Sequence, residues 1–281
     1  MSPARPFRRP AATVLALVLV SFAGLSFGAP RAKPWPRWER SDETSTEVVD
    51  HGAWSRFLAR YVHPDETGLN RVAYGAVTTR DRKALKAYLR HLLAVPVGSL
   101  CRDEQRAYWL DLYNAVTVDV VLAHHPVASI REISISPGLF SSGPWGRKLV
   151  RVEGVALSLD DIEHRILRPI WKDPRTHYAL NCASVGCPNL PREAFTSEGL
   201  DAQLDAAARA FVNHPRGVRI VDGALEVSSI YSWFEADFGG SERAVIAHLS
   251  KYAKPALRER LATFDGIDGD DYDWSLNAAA G

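Results

Sequence analysis

The longest helical pattern in the chain is DEQRAYWLDLYNAVTVDVVLAH, residues 103–124. Its apolar and small residues recur every three or four positions, and other positions are apolar as well. A helix that is apolar on all sides usually lies at the centre of its domain. Pro126 follows and cannot continue the helix. We therefore expect a central buried helix from Asp103 to about His124.

Asn114 is a polar residue that falls within this apolar pattern. A buried amide without hydrogen-bond partners costs about 1–3 kcal/mol, so its side chain must find partners. Two interpretations stay open at this point. Asn114 either orients a catalytic side chain or ties down a loop.

Helical and strand patterns flank this helix on both sides. Apolar residues at helical spacing occupy 54–61, 85–92 and 200–211, and two more helices follow Gly240. Short strands are expected at 148–157, at 177–182, and on either side of Asp222-Gly223, which is a strong hairpin signal. The pattern indicates an α+β class, a helical domain with a small antiparallel sheet.

The N-terminus has the features of a signal peptide. Arg5, Arg8 and Arg9 precede an uncharged apolar run at 11–27, and Ser26-Phe27-Gly28 is a small-x-small cleavage site. The run is shorter than the ~20 residues that a membrane span needs. An uncleaved anchor is the alternative interpretation. We expect a signal peptide at 1–28, a periplasmic or secreted protein, and no membrane span after signal removal.

A polar segment rich in proline follows the signal peptide, and it has little to bury except Trp35 and Trp38. Such composition is typical of a linker. We therefore expect a linker at 29–46 and one globular domain at 47–281.

Composition narrows the function classes. The 34 Lys and Arg residues nearly balance the 33 Asp and Glu residues, which gives no basic patch for nucleic acid. Eight tryptophans and a 46% hydrophobic share indicate a packed globule. The three cysteines are an odd number, so at least one thiol is free or pairs with another molecule. We expect no cofactor, and the substrate, a small molecule or a peptide, stays unidentified.

The densest group of reactive residues is DPRTHYALNCASVGCP, residues 173–188. A cysteine nucleophile needs partial exposure, an adjacent base and backbone N–H groups, and this segment offers Cys182, His177 and a Gly/Ser loop. A Cys182–Cys187 disulfide is a second interpretation, since an oxidising compartment permits it. A metal site that adds His177 or His164 is a third.

A second group lies in SLDDIEHRIL, residues 158–167. Ser158 followed by Asp161 resembles a capping box, so a helix should begin here. Asp160 and His164 are four residues apart and can meet on one helix face, where a carboxylate raises the pKa of a histidine. The alternative is an exposed helix that carries ordinary surface charge.

These motifs together resemble domain-of-unknown-function family 547, from about residue 54 to residue 277. The resemblance is carried by YWLDLYNA (108–115), SLDDIEH (158–164), DPR (173–175) with His177 and Cys182, YSWF (231–234) and YDWSLN (272–277). It implies a papain-like or transglutaminase-like thiol enzyme, with an α+β fold and a Cys–His–polar triad. Because Cys182 follows both candidate histidines, the topology would be permuted.

Under this interpretation the protein is an exported cysteine-dependent hydrolase or acyl transferase that acts on an amide or ester. Cys182 is the expected nucleophile, with His177 or His164 as the base. Glu163 or Asn114 is the expected orienting residue.

The alternative function is a non-enzymatic periplasmic ligand-binding module. In it Cys182 and Cys187 form a disulfide, and the polar residues shape a pocket. A Cys/His metal site is the further alternative.

Overall fold

The computed structural model describes residues 30–138 and 141–279. The predicted signal peptide at 1–28 lies outside the described residues. In the described ranges, no helix is long and apolar enough to cross a membrane.

The described chain is about 47% helix and 11% strand, which confirms the α+β class. The α-helices are α1 (Gly52–Tyr61), α2 (Thr79–Leu93), α3 (Arg102–His124), α4 (Arg168–Trp171), α5 (Thr176–Ala179), α6 (Leu200–Val212), α7 (Ser229–Trp233), α8 (Glu242–Tyr252) and α9 (Pro255–Leu261). A π-helix, Asp161–Leu167, runs directly into α4.

The strands form three small sheets within the described ranges, rather than one. The first pairs β1 (Val62–Pro64) with β2 (Asn70–Val72), and the second pairs β3 (Val150–Val152) with β4 (Val155–Leu157). The third contains β5 (Val218–Val221), β6 (Ala224–Ser228) and β7 (Gly269–Asp271). The short strands expected at 148–157 and the hairpin expected at Asp222-Gly223 are present, and each pair is antiparallel. The parallel β6–β7 pair joins segments that are distant in sequence, so no local turn signal marks it.

Helix α3 lies at the centre, as its pattern predicted. Of its 23 residues, 18 are buried. It packs against α2 and against the π-helix. Tyr108 and Trp109 are fully buried, and burying an apolar side chain of this size contributes about 1.5–3 kcal/mol. A second apolar cluster, formed mainly by α6, β5, β6, α7, α8 and α9, packs beside this core.

Residues 30–46 lie against the domain, although the sequence indicated a linker with little to bury. The N–H of Lys33 donates to the carbonyl of His164 at 2.9 Å. Trp38 is 3% exposed and meets Trp109 edge to face, with ring centroids 5.1 Å apart. This segment therefore contributes to the main core.

The expected strand at 177–182 is wrong, because a helical turn forms there. Pro174, two residues before the first helical residue Thr176, has the fixed φ that suits a helical turn, and its carbonyl accepts the N–H of His177 at 3.1 Å. The carboxylate of Asp173 accepts the N–H of Arg175 at 2.9 Å and stabilises this start. The chain becomes extended only at Leu180. The local start signals therefore outweigh the alternating pattern.

Candidate functional site

A cleft of about 680 Å³ lies between the π-helix, the loop after α5 and the C-terminal segment. This volume is in the range of small-molecule sites. The lining contains four of the five residues singled out by the sequence, namely Glu163, His164, His177 and Cys182, together with Cys187, Tyr272 and several aromatic side chains. The fold thus brings distant chemical groups to one cavity.

The π-helix that carries Glu163 and His164 begins as the sequence predicted. The Asp161 N–H donates to the Ser158 hydroxyl at 3.2 Å, and the Ser158 N–H donates to the Asp161 carboxylate at 2.9 Å. This is a capping box with Asp in place of Glu. The following turns have π geometry, which recurs at functional sites because it shifts side chains away from ordinary helical spacing.

His177 is held by a carboxylate that the sequence analysis did not identify. Its Nε2 lies 2.7 Å from Asp237 Oδ2, and Arg168 Nε donates to the same oxygen at 2.6 Å. Burial opposes ionisation of Asp237, but the hydrogen bonds from His177 and Arg168 outweigh it and hold its pKa well below the usual value. The ionised carboxylate accepts the Nε2 proton, which leaves His177 Nδ1 available on the cleft side. The ring also stacks on Phe234, with centroids 4.1 Å apart.

Glu163 lies beside both histidines. Its Oε1 is 3.7 Å from His177 Nδ1 and 3.9 Å from His164 Nδ1, distances longer than hydrogen bonds. The Tyr113 hydroxyl donates to Oε2 at 3.3 Å. Burial raises the pKa of Glu163. A carboxyl group with a shifted pKa in a cleft is a candidate functional group.

His164 is kept neutral by its surroundings. Burial, and then the positive charge of Arg168, lowers its pKa to about 4. Arg168 Nη1 lies 3.0 Å from His164 Nδ1, so this nitrogen accepts a hydrogen bond. Asp160 Oδ1 is 3.7 Å from Nε2, which places the two on one face as expected without a hydrogen bond.

Cys182 is surrounded by hydrogen-bond donors. Its Sγ lies 3.0 Å from the Ser184 hydroxyl, 3.0 Å from the Tyr272 hydroxyl and 2.7 Å from Cys187 Sγ. Burial would raise the pKa of Cys182, but hydrogen bonds from Cys187, Ser184 and Tyr272 outweigh it and lower that pKa. Burial and the neighbouring Cys182 raise the pKa of Cys187 well above its usual value. These opposite shifts favour ionisation of Cys182 over ionisation of Cys187.

The loop that presents Cys182 is closed by one amide. Asn181 Nδ2 donates to the Pro188 carbonyl at 2.7 Å, and Asn181 Oδ1 accepts the Ala183 N–H at 2.9 Å. Ala183 is in the left-handed region at φ 62°, and the Cys187 N–H donates to the Ser184 carbonyl at 3.1 Å. The chain thereby turns back and places the two sulfur atoms side by side.

Asn114 lies behind this loop and not among the cleft-lining residues. It is fully buried, its Nδ2 donates to the Ala179 carbonyl at 2.9 Å, and its Oδ1 accepts the Asn181 N–H at 2.9 Å. Of the two interpretations, these contacts match the one in which Asn114 ties down a loop. Asn114 would therefore affect the chemistry of the site by fixing the position of Cys182.

The C-terminal segment forms one wall of the site. The Gly186 N–H donates to the Asp273 carbonyl, and the Val185 N–H donates to the Ser275 carbonyl, each at 2.8 Å. These bonds bring Tyr272 to Cys182. Tyr272 could have been identified from the sequence through the YDWSLN motif, in which it is the first residue. Ser184 belongs to the Gly/Ser loop that the sequence singled out, whereas nothing local in the sequence pointed to Arg168 or Asp237.

The expected Cys–His contact is not formed within the described residues. Neither His177 nor His164 hydrogen-bonds to Cys182, because they engage Asp237 and Arg168 respectively. The sulfur instead bonds to hydroxyls and to Cys187. The cleft therefore carries two separate polar groups, one around His177 and one around Cys182. Hydrogen bonds between catalytic residues often shorten only when substrate binds.

The two non-nucleophile interpretations of the cysteines can also be compared with the structure. Across the described ranges, no group of three or more His, Cys, Asp or Glu side chains is arranged to hold a metal ion. No disulfide joins Cys101, Cys182 or Cys187 in this structure, and the Cys182 and Cys187 sulfur atoms lie 2.7 Å apart.

Comparison with known proteins gives one match. No curated protein and no solved structure matches the chain. Residues 97–212 contain α3, the π-helix, His177 and the cysteine loop. This segment matches the family model described as "Protein of unknown function, DUF547", which supports the family resemblance carried by the sequence motifs.

Proposed function

We propose that this protein is an exported cysteine-dependent hydrolase or acyl transferase acting on an amide or ester. The observation that carries the proposal is the Cys182 sulfur, which lies on the cleft wall within hydrogen-bond distance of two hydroxyls and a thiol. A thiolate is the nucleophilic form of cysteine, and hydrogen-bond donors of this kind stabilise it.

The first step would be attack of the Cys182 thiolate on the substrate carbonyl. The carbon–leaving-group bond then breaks and gives a thioester on Cys182. The leaving amine or alkoxide needs a proton. His177 suits this role because Asp237 holds its Nε2, while its Nδ1 lies 3.7 Å from Glu163 and has no hydrogen bond within the described residues.

The second step would release the acyl group. Water, or an acceptor amine in the case of a transferase, attacks the thioester. His177 Nδ1 accepts the proton of that nucleophile, and the Cys182 thiolate leaves. Glu163 lies 3.7 Å from the same nitrogen, close enough to receive the proton through a small movement.

The test is to trap the acyl group on the enzyme. Purified protein is mixed with p-nitrophenyl acetate, quenched in acid and analysed by peptide mass spectrometry. We expect one acetyl group on Cys182, none on Cys101, and none at position 182 in C182S. Asp237→Asn should slow release of this acetyl group about 10²-fold or more, the scale of general acid–base catalysis. An unmodified Cys182, or acetylation that is equal on Cys101, would rule the proposal out.

A further inference from the structure

The two cysteines of the loop are in direct contact. The Cys187 thiol donates to Cys182 Sγ at 2.7 Å, and the Cys182 backbone N–H donates to Cys187 Sγ at 2.8 Å. The turn closed by Asn181 holds both sulfur atoms in these positions. A bond between them would therefore need little backbone movement.

The contact is asymmetric. Cys182 is partly exposed, whereas Cys187 is 4% exposed behind it. A molecule in the cleft thus meets Cys182 first. The lowered pKa of Cys182 and the raised pKa of Cys187 agree with this division, because exchange begins with a thiolate.

Neither acyl transfer nor hydrolysis uses a second thiol. Cys187 could serve the proposed hydrolase as a hydrogen-bond donor, but a hydroxyl would do this equally well. A thiol next to a reactive thiolate has one chemical property that a hydroxyl lacks, namely that it can displace a group from a mixed disulfide.

We propose that Cys182 and Cys187 form a redox-active pair that reduces disulfides entering the cleft, with Cys182 as the attacking thiol and Cys187 as the resolving thiol. This activity goes beyond the proposed hydrolase function and does not depend on it.

The reaction balances with the substrate disulfide as the oxidant. The Cys182 thiolate attacks one sulfur of R–S–S–R′, the S–S bond breaks, and R′–S⁻ leaves. Cys187 then transfers its proton to the departing R–S group and attacks Cys182 Sγ. The products are R′–S⁻, R–SH and a Cys182–Cys187 disulfide, so the substrate gains the two electrons that the pair loses.

The walls of the cleft indicate which disulfides fit. Trp233 and Trp274 are partly buried and stacked, with centroids 5.6 Å apart at 27°, and Tyr272 packs against both. Flat apolar groups pack well against such rings. Small aromatic disulfides, or peptide disulfides flanked by aromatic residues, are therefore the favoured class.

The experiment uses 5,5′-dithiobis(2-nitrobenzoate), an aromatic disulfide, on fully reduced protein in a C101S background. With one equivalent of probe, we expect release of two thionitrobenzoate anions, no protein adduct, and a Cys182–Cys187 disulfide in the peptide map. C187S should instead release one anion and keep a stable adduct on Cys182. C182S should react much more slowly.

Two results would contradict the proposal of a redox-active pair. A persistent adduct on Cys182 in the reduced C101S protein, or separate adducts on both cysteines, would overturn the proposal. Acid quenching during the reaction gives a second readout that needs no cysteine-loop variant, because a transient Cys182 adduct must appear before the disulfide. Acetylation of Cys182 by the ester is measured separately, so failure of one function is distinguishable from failure of the other.

Discussion

The Tyr272 hydroxyl lies 3.0 Å from Cys182 Sγ, although the two residues are 90 positions apart in the chain. It also lies 2.9 Å from the Ser184 hydroxyl, so the C-terminal segment completes the donor set around the sulfur. The surroundings of the sulfur therefore include a segment outside the family match at 97–212.

Removing the Tyr272 hydroxyl should destabilise the thiolate form of Cys182. A hydrogen bond to a charged group is worth about 1.5–3 kcal/mol, so Tyr272→Phe should slow alkylation of Cys182 at pH 7 by about tenfold or more. The measurement is iodoacetamide labelling from pH 5 to 9, read by peptide mass. Tyr61→Phe is the matched control, because that hydroxyl bonds to Asp81 and does not line the cleft. Equal rates in the two variants would show that Tyr272 does not stabilise the thiolate.

The amide of Asn181 should control the distance between the two sulfur atoms. Asn181→Ala removes the bonds to the Pro188 carbonyl and the Ala183 N–H, at a cost of about 1–3 kcal/mol. Formation of the Cys182–Cys187 disulfide by the aromatic disulfide should then slow at least tenfold, measured by quenched mass spectrometry.

The control for Asn181→Ala is Asn213→Ala. The Asn213 amide also bridges two backbone groups, those of Tyr252 and Lys254, in the second cluster. We expect a comparable loss of stability with no change in cysteine chemistry. If both variants slow disulfide formation equally, general destabilisation is the cause.

The segment at 30–46 should contribute to stability through Trp38. Truncating a buried tryptophan costs about 3–5 kcal/mol, so Trp38→Ala should lower the urea midpoint clearly. Trp35→Ala serves as the comparison because Trp35 is only partly buried, and its effect should be smaller. An unchanged midpoint in Trp38→Ala would mean that the segment detaches in solution.

His248 should make the protein less stable in acid. Burial, and then Lys251, lowers its pKa to about 4 from 6.5. Between these two pH values the unfolded state binds more protons, so stability falls as the pH drops from 6.5 to 4. Since His248 is only half-buried, we expect about 1 kcal/mol from this group.

Comparison of variants isolates this contribution from that of other groups. His248→Gln should lose less free energy of unfolding than the unmodified protein between pH 6.5 and 4, measured by urea titration. His63→Gln is the control, because His63 is exposed and bonds only to the Arg60 carbonyl. Parallel curves for all three proteins would contradict the expectation.

Local signals in the sequence were sufficient for several elements. The apolar pattern of 103–124 predicted the central helix, Ser158 with Asp161 predicted the capped helix start, and Asp222-Gly223 predicted a hairpin. These signals act between neighbours, through hydrogen bonds and apolar contacts that span a few residues. Where two local signals competed, at 177–182, the turn formed by Asp173 and Pro174 before α5 prevailed over the alternating pattern.

The sequence by itself determined the central helix, the capped helix start at Ser158 and the hairpin at Asp222-Gly223, and it determined which stretches carry reactive side chains. Only the tertiary structure decided which of those side chains meet. Asp237 pairs with His177, and Tyr272 with Cys182, because packing of the second cluster and the C-terminal segment brings these residues together. The reason is physical: a contact between residues 60 or 90 positions apart depends on the path of the whole chain and leaves no periodic pattern around either residue.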